Sequence, residues 1–183
     1  MTYKNIFSFE PSELHSAEKI VELGKDYEIF FPVKDEAVDL IVTKNLADGD
    51  RKVITIQVKA SRMFEKGLEK GLPRFWIKLD PKKLEKFSKK VDFYIFVFYK
   101  TIYETDSIPH FEREYAVIPT KDLIEKSKNK KGWVQGWLNY YFFLYPNGEM
   151  IDLRDVNKKN LETEKKKDWR IYTKYRNAFD SLK

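Results

Sequence analysis

Apolar and polar positions along this chain switch period several times, and the switches outline the elements. Behind Pro11-Ser12, Leu14, Ala17, Ile20, Val21 and Gly24 recur at helical spacing, with Glu13, Glu18, Lys19 and Glu22 between them. That spacing predicts an amphipathic helix capped by Ser12 and stopped at Gly24. From Tyr27 the period drops to two: Tyr27, Ile29, Phe31 and Val33 alternate as in a strand, with Pro32 near its end or on an edge. Residues 38–43 and 51–59 read as two further strands, joined as a hairpin through Ala47-Asp-Gly-Asp50. A short strand is expected at 75–79, and Asp80-Pro81 opens a helix to about Lys90 that carries Leu84 and Phe87. Residues 92–99 are apolar on both faces, which suits a strand covered on both sides. A strand at 115–119 leads into a helix from Thr120 or Lys121 to about Lys128. The segments 140–145 and 149–153 flank Pro146-Asn-Gly148, a hairpin signal, and a last helix is expected over roughly 168–181. The order predicts an α/β fold: a mixed β-sheet with helices packed on it, then a C-terminal β-hairpin and helix.

Composition narrows the picture. The 183 residues suit one domain, and no repeat or Gly/Ser-rich or Pro-rich linker divides them. We expect a single unit over 1–183, with a core at about 10–130 and the hairpin and helix of 131–183 appended. Cysteine is absent, which excludes disulfides, zinc ribbons, iron–sulfur clusters and a cysteine nucleophile. Two histidines, His15 and His110, cannot supply a His-rich metal site or an HNH-type nuclease site. The longest apolar runs, near 93–99 and 140–145, fall well short of the roughly 20 residues of a membrane span. The first ten residues hold no signal-peptide apolar stretch, so the expectation is a cytoplasmic protein with no membrane partner. The net charge of +6 points weakly to an anionic partner.

The chemistry concentrates in two strands. On the third strand Val53, Thr55, Gln57 and Lys59 share one face, and Ile54, Ile56 and Val58 share the other. Asp39 lies between Val38 and Leu40 and faces opposite these apolar neighbours. If the two strands form a hairpin, an acid, an amide and an amine gather on one sheet face. Half-exposed strands alternate polar and apolar residues routinely, so alternation alone makes no site. The whole order carries more: a helix bearing Glu, a strand, an acid on a second strand, then Gln-x-Lys on a third.

In Glu13, Asp39 and Gln57-Val58-Lys59 with the trailing Ala60-Ser61, the chain resembles the PD-(D/E)XK nuclease superfamily. It is similar to the small members that include homing endonucleases and archaeal Holliday-junction resolvases. The segment 13–61 matches in order and spacing, and the later elements match more loosely. The departure is Gln57, where most members carry Asp or Glu and a minority carry Gln. The resemblance implies a restriction-endonuclease-like fold and Mg²⁺-dependent hydrolysis of DNA phosphodiesters, with Mn²⁺ as a substitute. It implies that Asp39, Gln57, the Val58 carbonyl and Glu13 hold the metal, with Glu18 in reserve for Glu13. It also implies that Lys59 orients the attacking water and stabilises charge on the phosphate. A neutral Gln57 weakens intrinsic metal binding relative to a carboxylate.

Other features have plainer readings. Asp35 and Glu36 read as turn residues. Lys66, Lys70, Arg74, Lys82, Lys83, Lys86, Lys89 and Lys90 read mainly as solvated surface, while Arg62 and Ser61, just past the motif, are candidate DNA contacts. Lys128-Asn-Lys-Lys131 and Lys165-Lys-Lys167 read as surface loops. Trp133, Trp137, Tyr140 and Tyr141 look like core or interface aromatics, with base stacking as the second reading. His110 is expected in a loop and His15 at a helix surface or core edge. One such site cuts one strand, so a double-strand cut requires a homo-oligomer, a dimer or higher. Two alternatives stay open: a nuclease-fold DNA-binding module without cleavage, and a protein-interaction domain with an accidental motif match.

Overall fold

The computed structural model describes residues 10–33, 37–63, 72–102, 110–130 and 136–183. Asp35, Glu36, Lys66, Lys70, Lys131 and Trp133 lie outside them. The elements run α1 (Pro11–Val21), β1 (Tyr27–Phe30), β2 (Leu40–Asn45), β3 (Arg51–Arg62), β4 (Arg74–Leu79), α2 (Pro81–Lys86), β5 (Phe93–Ile102), β6 (His110–Pro119), α3 (Thr120–Lys128), β7 (Leu138–Leu144), β8 (Met150–Asp152) and α4 (Leu161–Lys165).

Five strands form a mixed sheet in the order β1-β2-β3-β5-β6. Its pairs are antiparallel except β3 with β5. A parallel pair needs a long crossover, and the chain between β3 and β5 supplies it with β4 and α2. The expected α/β class with a mixed sheet flanked by helices is thus present. One face of the sheet, carrying Ile56, Val58, Ile95, Val97 and Val117, packs under Ala17 and Ile20 of α1. The opposite face, carrying Tyr94, Phe96, Phe98 and Ile118, packs against Phe75, Ile77, Tyr140 and Phe142. Residues 94–98 are therefore buried on both sides, as their unbroken apolar run predicts.

Several expectations change. The strand at 75–79 does not join the mixed sheet: β4 pairs with β7, and with β8 makes a second, three-stranded sheet. The hairpin of β7 and β8 therefore covers the core jointly with a strand drawn from the middle of the chain. The expected helix over 168–181 is instead three short 3₁₀ turns, Asp168–Arg170, Thr173–Tyr175 and Phe179–Leu182. Its backbone is used elsewhere. Ile171 bridges to Ile151 and Arg176 to Ala116. Asn177, in the left-handed region at φ 52°, donates its N–H to the Tyr115 carbonyl and accepts the Tyr115 N–H on Oδ1, which closes part of the β6 edge. Glu10, not Ser12, is the N-cap of α1, because Pro11 occupies the first turn and Ser12 is buried within it. His110 opens β6 and is not in a loop. Among the described residues no helix is long and apolar enough to cross a membrane.

Candidate functional site

Strand register builds the site. Leu40, the first residue of β2, pairs with Ile56, and one step earlier the Asp39 N–H donates to the Ile56 carbonyl at 2.8 Å. Beyond that point β3 has no β2 strand beside it. Alternate residues of a strand present N–H and C=O to the same edge, so Val58 is the next to face it. The Asp39 side chain takes the place of the missing strand: the Val58 N–H donates to Asp39 Oδ2 at 2.8 Å. Gln57 Nε2 donates to the same oxygen. Asp39 and Gln57 are both buried. Lys59, two residues on and on the Gln57 face, is half-buried, and among the described residues nothing forms a hydrogen bond or ion pair with it. The hairpin thus joins Asp39, Gln57 and the Val58 backbone, with Lys59 two residues along on the Gln57 face of β3.

Tyr94 belongs beside them, and sequence reasoning misses it. It pairs in register with Gln57 across the parallel β3–β5 contact. Burial, and secondly the negative charge of Asp39, push its hydroxyl up to about 12. The alternation within 92–99 marks Tyr94 only as a strand residue; its position beside Gln57 depends on a register that no local pattern encodes.

The structure does not bring Glu13 into this group. Glu13 is buried on the stripe of α1 that carries Ala17 and Ile20, and that stripe packs on the Val58 face of the sheet. Gln57 and Lys59 face the other way, so the sheet stands between them and α1. Glu18, the reserve, is exposed and pairs with Arg113 at 3.0 Å. Arg62 shares the Val58 face and lines a cavity of about 380 Å³ with Ser12, His15, Tyr99 and Phe111. There His15 Nδ1 and the Tyr99 hydroxyl lie 2.8 Å apart, and burial, followed by the charge of Arg113, lowers the imidazole pKa. Ser61 Oγ accepts the Trp76 N–H at 3.0 Å and so ties the mixed sheet to β4.

Among the described residues no three His, Asp or Glu side chains converge as a metal-ligand group. The oxygens around Asp39 nevertheless suit a hard cation that retains several waters. They are the Asp39 carboxylate, the Val58 carbonyl at the same strand edge, and the Gln57 amide oxygen once that amide turns from donating to Asp39. This oxygen set, with a single carboxylate, fits Mg²⁺ or Mn²⁺.

Sequence reading also misses a second buried polar cluster. Lys130, expected in a basic surface loop, is buried with its Nζ 2.5 Å from Asp152 Oδ2. Its amine also lies 3.5 Å from the centroid of the Tyr140 ring. Of the aromatics nearby, Tyr140 is fully buried in the core and Tyr141 is half-buried on the outer face of the second sheet. Comparison of the chain with protein-family models, with curated proteins and with solved structures gives no match.

Proposed function

We propose that this protein is a metal-dependent DNA endonuclease with a restriction-endonuclease-like fold. The observation that carries the reading is the gathering of Asp39, Gln57 and the Val58 backbone beside Lys59, a half-buried cation with no described partner. Asp39 and the Val58 carbonyl would hold Mg²⁺ or Mn²⁺, which when bound polarises a phosphoryl oxygen and acidifies water. Lys59 Nζ donates to the attacking water and to the non-bridging phosphate oxygen on which charge develops. Gln57 orients the Asp39 carboxylate. Glu13, across the sheet, supports the fold of α1 in this scheme and does not ligate. DNA is the partner, and a symmetric dimer supplies the second site for a double-strand cut.

A second reading is a DNA-binding module of the same fold without cleavage. It is favoured by the Gln57–Asp39 hydrogen bond, which occupies the carboxylate with an internal donor. Isothermal titration of Mg²⁺ into the wild type and into Gln57→Glu, each with an uncleavable duplex, separates the readings. The nuclease reading expects a bound ion in the wild type and at least tenfold tighter binding in the variant. Indistinguishable heats with no saturation in either protein contradict it.

A further inference from the structure

The outer face of the second sheet has no role in the proposed cleavage site, yet its composition is unusual. Residues of even number on β4 point outward with odd-numbered residues of β7, since Trp76 pairs with Tyr141 and Lys78 with Asn139. One end of this face is covered: Phe143, Ile151, Leu153 and Val156 form a small buried cluster of their own. The other end is open. Trp76 is 48% exposed there, and its ring meets Tyr141 edge-on with centroids 6.4 Å apart. Trp76 Nε1–H donates to Asn139 Oδ1 at 2.9 Å, which fixes the indole plane. Cations surround these rings. Arg74 lies 5.8 Å and Arg154 5.4 Å from the Tyr141 centroid, and Lys78 lies 4.0 Å from that of Trp137.

The same surface continues into a cavity of about 470 Å³ that Trp137, Asn139 and Arg154 help to line, with Trp169 and Lys167 on its other side. The acids of that cavity are neutralised within the protein. Asp152 pairs with Lys130, Asp155 with Arg154, and Glu164 with Lys167 and Arg170. The same pairs engage Lys130, Arg154, Lys167 and Arg170, so beside the rings the exposed Lys78 is left without an acid among the described residues to meet a ligand phosphate. A rigid small sheet that offers flat rings interleaved with Lys and Arg matches a polymer of flat bases joined by phosphates. A duplex would present only phosphates here, because its bases are stacked on one another and closed to the rings. An acidic protein would satisfy the cations and leave the exposed indole in water.

We propose that this face is a stacking platform for single-stranded DNA, with one base on Trp76 and the next nucleotides running toward the Trp137–Trp169 cavity. The platform abuts the strand of the proposed cleavage site through the Ser61–Trp76 hydrogen bond. Binding there does not depend on cleavage, so the proposal goes beyond the nuclease reading and stands or falls apart from it.

Fluorescence anisotropy with labelled dT15, without divalent ions, tests it. The wild type should bind dT15 at least tenfold tighter than a blunt 15-base-pair duplex, although the duplex carries the denser charge, with quenching of tryptophan emission. Trp76→Ala should weaken dT15 binding by about 5- to 100-fold while duplex binding changes less than twofold. Trp76→Phe, which keeps a ring, should recover most of the loss, and matched circular dichroism spectra establish that the variants are folded. Binding is read without divalent ions, so the result does not depend on the fate of the cleavage proposal. Equal affinity for single strand and duplex, or a Trp76→Ala variant that binds dT15 unchanged, overturns the platform. An oligo(U) bound more than tenfold tighter than dT15 overturns the assignment to DNA.

Discussion

Two aspartates lie buried beside strands in this protein, and their surroundings differ. Asp152, at the end of β8, is fully buried. Its Oδ1 accepts the N–H groups of Tyr141 at 2.8 Å and Arg154 at 3.3 Å, and Lys130 Nζ stands 2.5 Å from Oδ2. Lys130 also donates to the Asn139 carbonyl at 2.7 Å. Asp39 accepts from a backbone N–H and from the neutral Gln57 amide, while Lys59 nearby has no described ion pair. The first lysine has spent its donors inside the fold; the second keeps them. A buried ion pair of the first kind is a packing element, costly to break and closed to a ligand. Lys59, which has no ion pair among the described residues, keeps donors that can meet a charged ligand.

The largest expected effect breaks the comparison on stability. Lys130→Ala leaves Asp152 buried without its countercharge and should destabilise the fold by about 3–5 kcal/mol, whereas Lys59→Ala should change stability by no more than about 0.5 kcal/mol. Urea unfolding of both variants checks the ranking. A Lys59→Ala loss equal to that of Lys130→Ala would make Lys59 a structural residue too.

Gln57→Glu sharpens the contrast at the other aspartate. It sets a second carboxylate against Asp39 in a buried position and removes the amide donor. In chelator the variant should lose about 1–3 kcal/mol of stability, and millimolar Mg²⁺ should restore most of it. Thermal unfolding with and without the ion measures the recovery. At Asp152 the countercharge is already present, so Asp152→Asn should show no such dependence on Mg²⁺.

A smaller effect concerns pH. Burial, with help from the Asp39 charge, raises the Tyr94 hydroxyl to about 12. Its folded value then lies above its unfolded value near 10, so the folded state holds a proton that the unfolded chain releases. The associated stability is fully present below about pH 10 and is lost as pH rises through about 12, roughly 2–3 kcal/mol over that window. Tyr94→Phe should flatten the alkaline limb of a stability–pH profile by part of that amount. Asp39→Asn should shift one tyrosine to lower pH in a difference ultraviolet titration, the smallest of these effects.

How much of this is legible in the sequence follows from the range of the forces involved. Alternation at 53–59 and around Asp39 reports which face a side chain takes, so the hairpin cluster can be read from the residues alone. The double burial of residues 94–98 is legible for the same reason. Parity within a strand does not say which strand lies next door or which helix covers which face. Tyr94 therefore escapes such a reading, Glu13 falls on the wrong side of the sheet, and β4 falls in the wrong sheet. The helix expected at 168–181 does not form, because Ile171, Arg176 and Asn177 make edge contacts with β8 and β6 instead. Lys130 looks like one more cation in a basic loop, since nothing in its neighbours records the distant Asp152.

The central claim is that Lys59 acts on a phosphodiester held beside Asp39. Single-turnover cleavage of supercoiled and branched DNA in Mg²⁺ or Mn²⁺, by the wild type and by Lys59→Ala with equal DNA affinity, tests it most directly. The account predicts cutting by the wild type and a rate at least about 100-fold lower in the variant, the scale of losing one transition-state donor. A folded wild type that binds DNA and cuts none of these substrates, or a Lys59→Ala variant that cuts at the wild-type rate, contradicts it.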